Sequence, residues 1–193
     1  MTGGSQGDEL PTRKMISVIT SAYNEADCVD ELARRLVAVF DALPRYDFEV
    51  IIVENGSNDE TFAFLEDVRR RDPRFKIVQL ARNFRMDGGI TAGLEHAHGD
   101  AAVLMTADLQ DPPEMIPEFI TRWEEGYENV YGIVTVRKGT GRIRSVNSRL
   151  FYWVIGKLTG NLIPANASDF RLLDRRVYED CLLYTSPSPR DCS

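Results

Sequence analysis

The chain has 193 residues, 43% hydrophobic and 27% charged, enough for one domain with its own core. Its formal net charge of −7 argues against a general nucleic-acid binder, which needs a basic surface. No stretch is apolar and long enough to span a bilayer. Cys28, Cys181 and Cys192 lack paired or metal-like spacing, in keeping with a reducing compartment.

Residues 1–14 are polar, with Gly and Ser and no apolar run, and read as a disordered lead-in rather than a signal peptide. Met15–Ser21 reads as a strand, with Asn24 as the cap of the helix that follows. Val29, Leu32, Leu36, Val39 and Phe40 recur at helical spacing up to Pro44. Phe48–Val53 is a second strand. A turn-rich loop, Glu54–Asp59, leads into a helix with Phe62, Leu65 and Val68 on one face. Phe75–Ala81 is a third strand, Asp87–His98 a Gly- and Ala-rich helix, and Ala101–Thr106 a fourth strand. Pro113–Glu125 predicts a helix burying Met115, Phe119 and Trp123, and Asn129–Val136 a fifth strand. Apolar strands alternating with helices predict an α/β fold: a mostly parallel sheet with helices on both faces. No G-x-G-x-x-G follows a strand, so the dinucleotide fingerprint is absent.

The charge then reverses. From Asn129 to Ser168 there is no Asp or Glu, while Arg137, Lys138, Arg142, Arg144, Arg149 and Lys157 all fall there. Such a block meets phosphate groups or an anionic membrane surface, or is a solvated basic face. Within 142–158, Ile143, Val146, Leu150, Val154 and Leu158 form one helical stripe flanked by cations. This is either an amphipathic helix lying in a membrane interface or a core helix with a basic outer face. After Asp180 the helical pattern of Arg175, Val177 and Tyr178 stops and Ser-Pro steps take over. Residues 181–193 read as a non-native tail, excluded from the fold, and the natural protein is expected to continue beyond a domain spanning 15–180.

The chemistry concentrates at the end of the fourth strand, in Thr106-Ala107-Asp108-Leu109-Gln110-Asp111. Ligand sites of α/β sheets lie at the carboxyl ends of strands. Asp108 and Gln110, two apart on an extended backbone, point to one side. Two hard oxygen ligands there suit Mg²⁺ or Mn²⁺. Asp111 reads as the cap of the helix that Pro112 or Pro113 opens.

Six segments in order resemble the family 2 glycosyltransferases, from Met15 to about Glu179: Ser21–Glu25, Val53–Asp59, Leu80–Phe84, Gly93–Asp100, Ala107–Glu114 and Ile163–Leu173. The nearest branch is the polyprenyl-phosphate glycosyltransferases. The resemblance implies a nucleotide-sugar-binding, Rossmann-like glycosyltransferase A-type fold. It implies transfer of a hexosyl group from a UDP- or GDP-sugar to a polyprenyl phosphate, with inversion, using Mg²⁺ or Mn²⁺ at the cytoplasmic face of the cell membrane. Ala22, Tyr23, Asn24 and Glu25 match the loop along base and ribose. Glu54-Asn55-Gly56-Ser57 stands where the family usually has Asp-Asp-Gly-Ser, and Gly56 supplies a backbone position that only Gly tolerates. Asp59 is expected to cap or support the next helix. Arg82 matches a loop near the nucleotide, with reach to phosphate or to an acid such as Asp87.

The Asp-x-Asp-type metal motif reads Thr106-Ala107-Asp108, one acidic group short, with Gln110 a further metal-side residue. Asp108 and Asp169 are the catalytic candidates, Asp169 as base or as a residue orienting acceptor or metal. Arg137, Arg149 and Arg171 are candidates for the acceptor phosphate. His96 and His98 match no catalytic position. Two alternatives stay open: a soluble or cell-envelope glycan acceptor, and a catalytically silent nucleotide-sugar-binding homologue. Homo-oligomerisation stays open as well.

Overall fold

The computed structural model describes residues 13–133 and 167–185. Arg137, Arg149, the 142–158 segment, the lead-in up to residue 12 and the tail from residue 186 lie outside the described residues.

In chain order the elements are β1 (Lys14–Ala22), α1 (Ala26–Asp41), β2 (Tyr46–Glu54), α2 (Thr61–Arg71), β3 (Phe75–Gln79) and α3 (Arg85–Leu94). Next come β4 (Ala101–Thr106), a 3-10 turn (Pro113–Met115), α4 (Ile116–Glu124), β5 (Asn129–Ile133), β6 (Ala167–Asp174) and α5 (Arg175–Thr185). The strands form one six-stranded sheet in the order β3-β2-β1-β4-β6-β5. β1 pairs in parallel with β2 and β4, and β2 with β3. β6 is antiparallel to both β4 and β5.

Both faces are covered, which is why the central strands are apolar throughout. On one face Ile16, Val18, Val50 and Val103 meet Val29, Leu32, Leu36, Val39 and Phe40 of α1, with Leu65 and Val68 of α2. Ile116, Phe119, Ile120 and Trp123 of α4 complete that layer. On the other face Ile19, Ile51, Val53 and Ala102 pack with Leu94 of α3 and Tyr178 of α5. Burying each large aliphatic side chain contributes about 1.5–3 kcal/mol, so the helical stripe of α1 commits that helix to the sheet.

Among the differences from the sequence reading, three concern the end of α3, β6 and α5. α3 ends at Leu94 rather than His98 because its exit is captured elsewhere: Glu49 Oε1 takes the His98 N–H at 2.7 Å and the Met15 carbonyl takes the Asp100 N–H at 2.7 Å. β6 is a strand where no strand was read. Its Phe170 and Leu172 are buried while Asp169 is exposed, an alternation that only part of the strand shows. α5 runs five residues past Asp180, to Thr185, and Leu182 packs on the second core cluster, whereas Leu183 and Tyr184 are exposed.

At the amino-terminal end of the strands a closed polar network ties the layers together. The buried Glu49 carboxylate accepts from Ser17 Oγ at 2.5 Å and from Lys76 Nζ at 2.6 Å. The Gly99 N–H donates to Ser17 Oγ, and the Tyr178 hydroxyl donates to the Gly99 carbonyl. Buried polar groups are tolerated when paired in this way.

Candidate active site

β2 and β3 lie on one side of β1 and β4 on the other, so the chain reverses its winding between β1 and β4. Loops leaving adjacent strands at such a switch point diverge and open a crevice at the carboxyl ends. A cleft of about 360 Å³ sits there, lined by Ser21, Tyr23, Glu25, Asn55, Asn83, Arg85, Met86, Thr106, Ala107 and Asp108. A second hollow of about 510 Å³ lies at the ends of β2 and β3, lined by Glu54, Gly56, Ser57, Asn58, Gln79, Leu80 and Ala81.

The loops after β1 and β2 are zipped together. The Asn55 N–H donates to the Ala22 carbonyl at 2.9 Å. The Asn24 N–H donates to Ser57 Oγ at 3.1 Å, and Asn24 Oδ1 accepts from the Asn58 N–H at 2.9 Å. The Glu25 N–H donates to Thr61 Oγ1 at 2.9 Å. Asn24 is therefore an inter-loop clamp in the left-handed region, with φ 57°, and not the cap of α1. Glu25 occupies the cap position, with no side-chain capping bond. Asp59 supports the start of α2, taking the Thr61 N–H at 3.0 Å and the Thr61 hydroxyl at 2.5 Å.

The second loop is fixed by its own side chains. Glu54, buried, accepts the Ser57 N–H at 2.5 Å and closes the turn. Gly56 has φ 74°, and a Cβ there would stand 2.7 Å from the Arg82 carbonyl carbon. Glycine is required on both counts. Asn55, 2% exposed, donates to Ser21 Oγ and the Arg85 carbonyl and accepts from the Phe84 N–H. The amide that stands in place of an acid thus holds the third loop against β1. Gly89 allows this approach, since a Cβ there would lie 2.2 Å from Ser21 Oγ.

The fourth loop departs from the extended backbone expected of it. Leu109 has φ 62°, which breaks the alternation that would align Asp108 with Gln110. Asp108 lines the cleft, whereas Gln110 is exposed and its N–H donates to Asp108 Oδ1 at 3.1 Å. Asp111 does not cap the helix either. Its Oδ2 accepts from both the N–H and the hydroxyl of Thr106, each at 2.9 Å, and the helical turn opens from Pro112 without a side-chain cap.

Glu25 lines the same cleft as Asp108. Burial first, and then the Asp108 charge, push the Glu25 carboxyl above its ordinary range. Burial and the neighbouring Glu25 likewise push the Cys28 thiol up. A raised carboxyl near another carboxylate marks a site where positive charge is wanted. Among the described residues no group of three or more His, Cys, Asp or Glu gathers to hold a metal; Glu25 and Asp108 are the carboxylates that line the cleft.

Other expected site residues fall elsewhere. Arg82 is exposed and stacks over Phe84, 4.0 Å from the ring centre; it neither lines the cleft nor pairs with Asp87. Arg85, unmarked in the sequence reading, lines the cleft instead. Asp169 has a side chain 79% exposed and pairs with Arg171 Nη2 at 3.3 Å. Neither lines the cleft, although antiparallel pairing of Leu104 with Arg171 carries the start of β6 to the end of β4. His96 Nδ1 lies 2.8 Å from the Ala92 carbonyl, and His98 lies beside Glu49, both away from the cleft.

The family model "Glycosyl transferase family 2" matches residues 17–182. An uncharacterized glycosyltransferase of Synechocystis sp. is 40% identical over 162 residues, 84% of this chain and 51% of the relative. The prophage bactoprenol glucosyl transferase homolog of Escherichia coli is 32% identical over 168 residues, 87% of this chain and 55% of the relative. The chain thus spans about half the length of the curated relatives it matches. Among solved structures, a mannosyltransferase from Pyrobaculum calidifontis in complex with GDP-Man and Mn²⁺ aligns with a TM-score of 0.60 at 18% identity, covering 89% of this chain and 47% of that one. Glucosyl-3-phosphoglycerate synthase from Mycobacterium tuberculosis, in complex with Mn²⁺, UDP-glucose and phosphoglyceric acid, aligns with a TM-score of 0.61 at 18% identity, covering 85% and 58%. Fold, switch-point cleft and a family match over most of its length agree: the chain belongs to the family 2 glycosyltransferases.

Proposed function

We propose that the chain is the catalytic part of a metal-dependent hexosyltransferase that moves a sugar from a UDP- or GDP-sugar to a polyprenyl phosphate, with inversion, at the cytoplasmic face of the cell membrane. The observation that carries the donor half is that Asp108 and the raised Glu25 line one cleft at the ends of β1, β2 and β4. The bactoprenol glucosyl transferase relatives and the acid-free basic segment from Asn129 to Ser168 support the acceptor half.

Asp108, with Glu25 in the same cleft, would hold Mg²⁺ or Mn²⁺, which when bound neutralises charge on the diphosphate leaving group. Tyr23, Asn55 and Ala107 shape the wall along the donor. The acceptor phosphate oxygen bonds to the anomeric carbon, and the bond from that carbon to the donor diphosphate breaks with its electron pair leaving on the diphosphate. A lipid phosphate is already ionised near neutral pH, so no proton must be removed, and Asp169 serves to orient the acceptor together with Arg171. Arg137 and Arg149 are proposed to meet the same phosphate from the basic segment.

Calorimetric titration with UDP, UDP-glucose and GDP-mannose, each with and without Mn²⁺, tests this reading. Metal-dependent binding of one nucleotide, abolished in Asp108→Ala, is the expected result. No binding by a folded chain would favour a silent homologue, the reading that the Thr106 departure suggests.

A further inference from the structure

Arg85 opens α3 with φ 63°, a left-handed conformation that side chains with a Cβ rarely adopt. Two neighbours hold it there. Its N–H donates to Asn83 Oδ1 at 2.7 Å, and its carbonyl accepts from Asn55 Nδ2 at 2.9 Å. Asn55 is itself buried and fully engaged. Backbone strain that the surroundings over-determine in this way is kept where a site needs it. Here its product is an exposed arginine among the residues that line the same cleft as Glu25 and Asp108. The described residues give that guanidinium no carboxylate partner, a state it shares with Arg45, Arg69 and Arg82, none of which lines the cleft. Among the described residues it is the cation lining a cleft whose other charged groups are acidic.

We propose that Arg85 is the residue that grips the donor diphosphate, and that the strained backbone at this position is retained because it aims the guanidinium into the cleft. This rests on the donor reading above and names a specificity residue for it. A planar guanidinium offers paired donors to phosphate oxygens. It also offsets the charge that a diphosphate brings next to Glu25 and Asp108. Arg82, stacked on Phe84, is left to support the loop.

The two roles of Arg85, strain and grip, predict effects of opposite sign. Arg85→Gly accepts the left-handed backbone freely, so its Tm is expected to rise by roughly 2–4 °C. Its affinity for UDP or GDP, and for inorganic pyrophosphate, is expected to fall about tenfold or more, the loss of one charge-assisted contact. Affinity for the parent nucleoside, which has no phosphate, stays unchanged. Arg85→Asn, neutral and tolerant of the same backbone, gives the same affinity loss and guards against an effect of added flexibility. Calorimetric titration and thermal melts of the whole chain read both quantities. Unchanged nucleotide and pyrophosphate affinity in both variants overturns the proposal while leaving the donor reading intact. A lowered Tm with parallel loss of nucleoside binding also overturns it, by assigning Arg85 a purely structural role. A wild-type chain that binds neither UDP nor GDP overturns the donor reading and this proposal together.

Discussion

The Asp111 carboxylate takes both the N–H and the hydroxyl of Thr106, each at 2.9 Å. The residue that departs from the Asp-x-Asp pattern is therefore matched to the acid five positions later. A second carboxylate at 106 would face Asp111 instead of bonding to it.

Two substitutions test that match. Thr106→Val removes one of the two bonds and is expected to cost about 1 kcal/mol in urea unfolding. Thr106→Asp brings like charges together, so its Tm is expected to drop without metal and to recover in part with Mn²⁺. A Tm for Thr106→Asp equal to wild type in the absence of metal would show that Asp111 does not set this loop.

Gly56 stands at φ 74° with the Arg82 and Asn83 backbone packed against it. Gly56→Ala must both strain its own backbone and push the third loop away. A loss of about 2 kcal/mol or more is expected from urea midpoints. Nucleotide binding should weaken with it, because the displaced loop carries Asn83 and Arg85.

Glu25 carries a cost that its site explains. Its folded pKa lies above the ordinary 4.5, through burial and the Asp108 charge. A carboxyl raised in this way stabilises the fold most at low pH, and that contribution is lost as pH rises through the folded value. Glu25→Gln should therefore raise Tm at pH 7 relative to wild type, with the gain vanishing well below pH 4.5. Mn²⁺ affinity of the wild type should rise with pH across the same window, as the cation displaces the proton, and flatten in the variant. Thermal melts and metal titrations across pH check both.

Glu49 behaves in the opposite sense. Burial pushes its carboxyl up, but hydrogen bonds from Lys76, Ser17 and the His98 N–H hold it below 4.5 overall. Its stabilising contribution is present above the unfolded-state value and is lost as pH falls through the lower folded one. Glu49→Gln is expected to cost about 1–3 kcal/mol at pH 7 and progressively less below pH 4.5. Because the network lies at the end of the sheet remote from the cleft, nucleotide affinity at saturating stability should be unchanged, which calorimetry can verify.

Much of this molecule was legible in order along the chain. The apolar runs of β1, β2 and β4 and the stripes of α1, α2 and α4 are local patterns, set by which side chains must leave water. They are enough to require a covered, mostly parallel sheet. The strand-end run itself placed Asp108 at one end of it, while Tyr23, Glu25 and Asn55 were placed there by the resemblance to the family 2 glycosyltransferases. What the tertiary structure decided is how those loops are held. Asn24 serves Asn58 rather than its own helix, and Asp111 serves Thr106 rather than the turn that follows. Leu109 twists Gln110 out of line, and Arg85, not Arg82, enters the cleft. β6 slips between β4 and β5 from far along the chain. Each of these depends on a hydrogen-bond partner or a backbone dihedral supplied by another segment. Periodicity records which face of an element is buried, but not which distant donor satisfies a loop, so these choices appear only once the chain has folded.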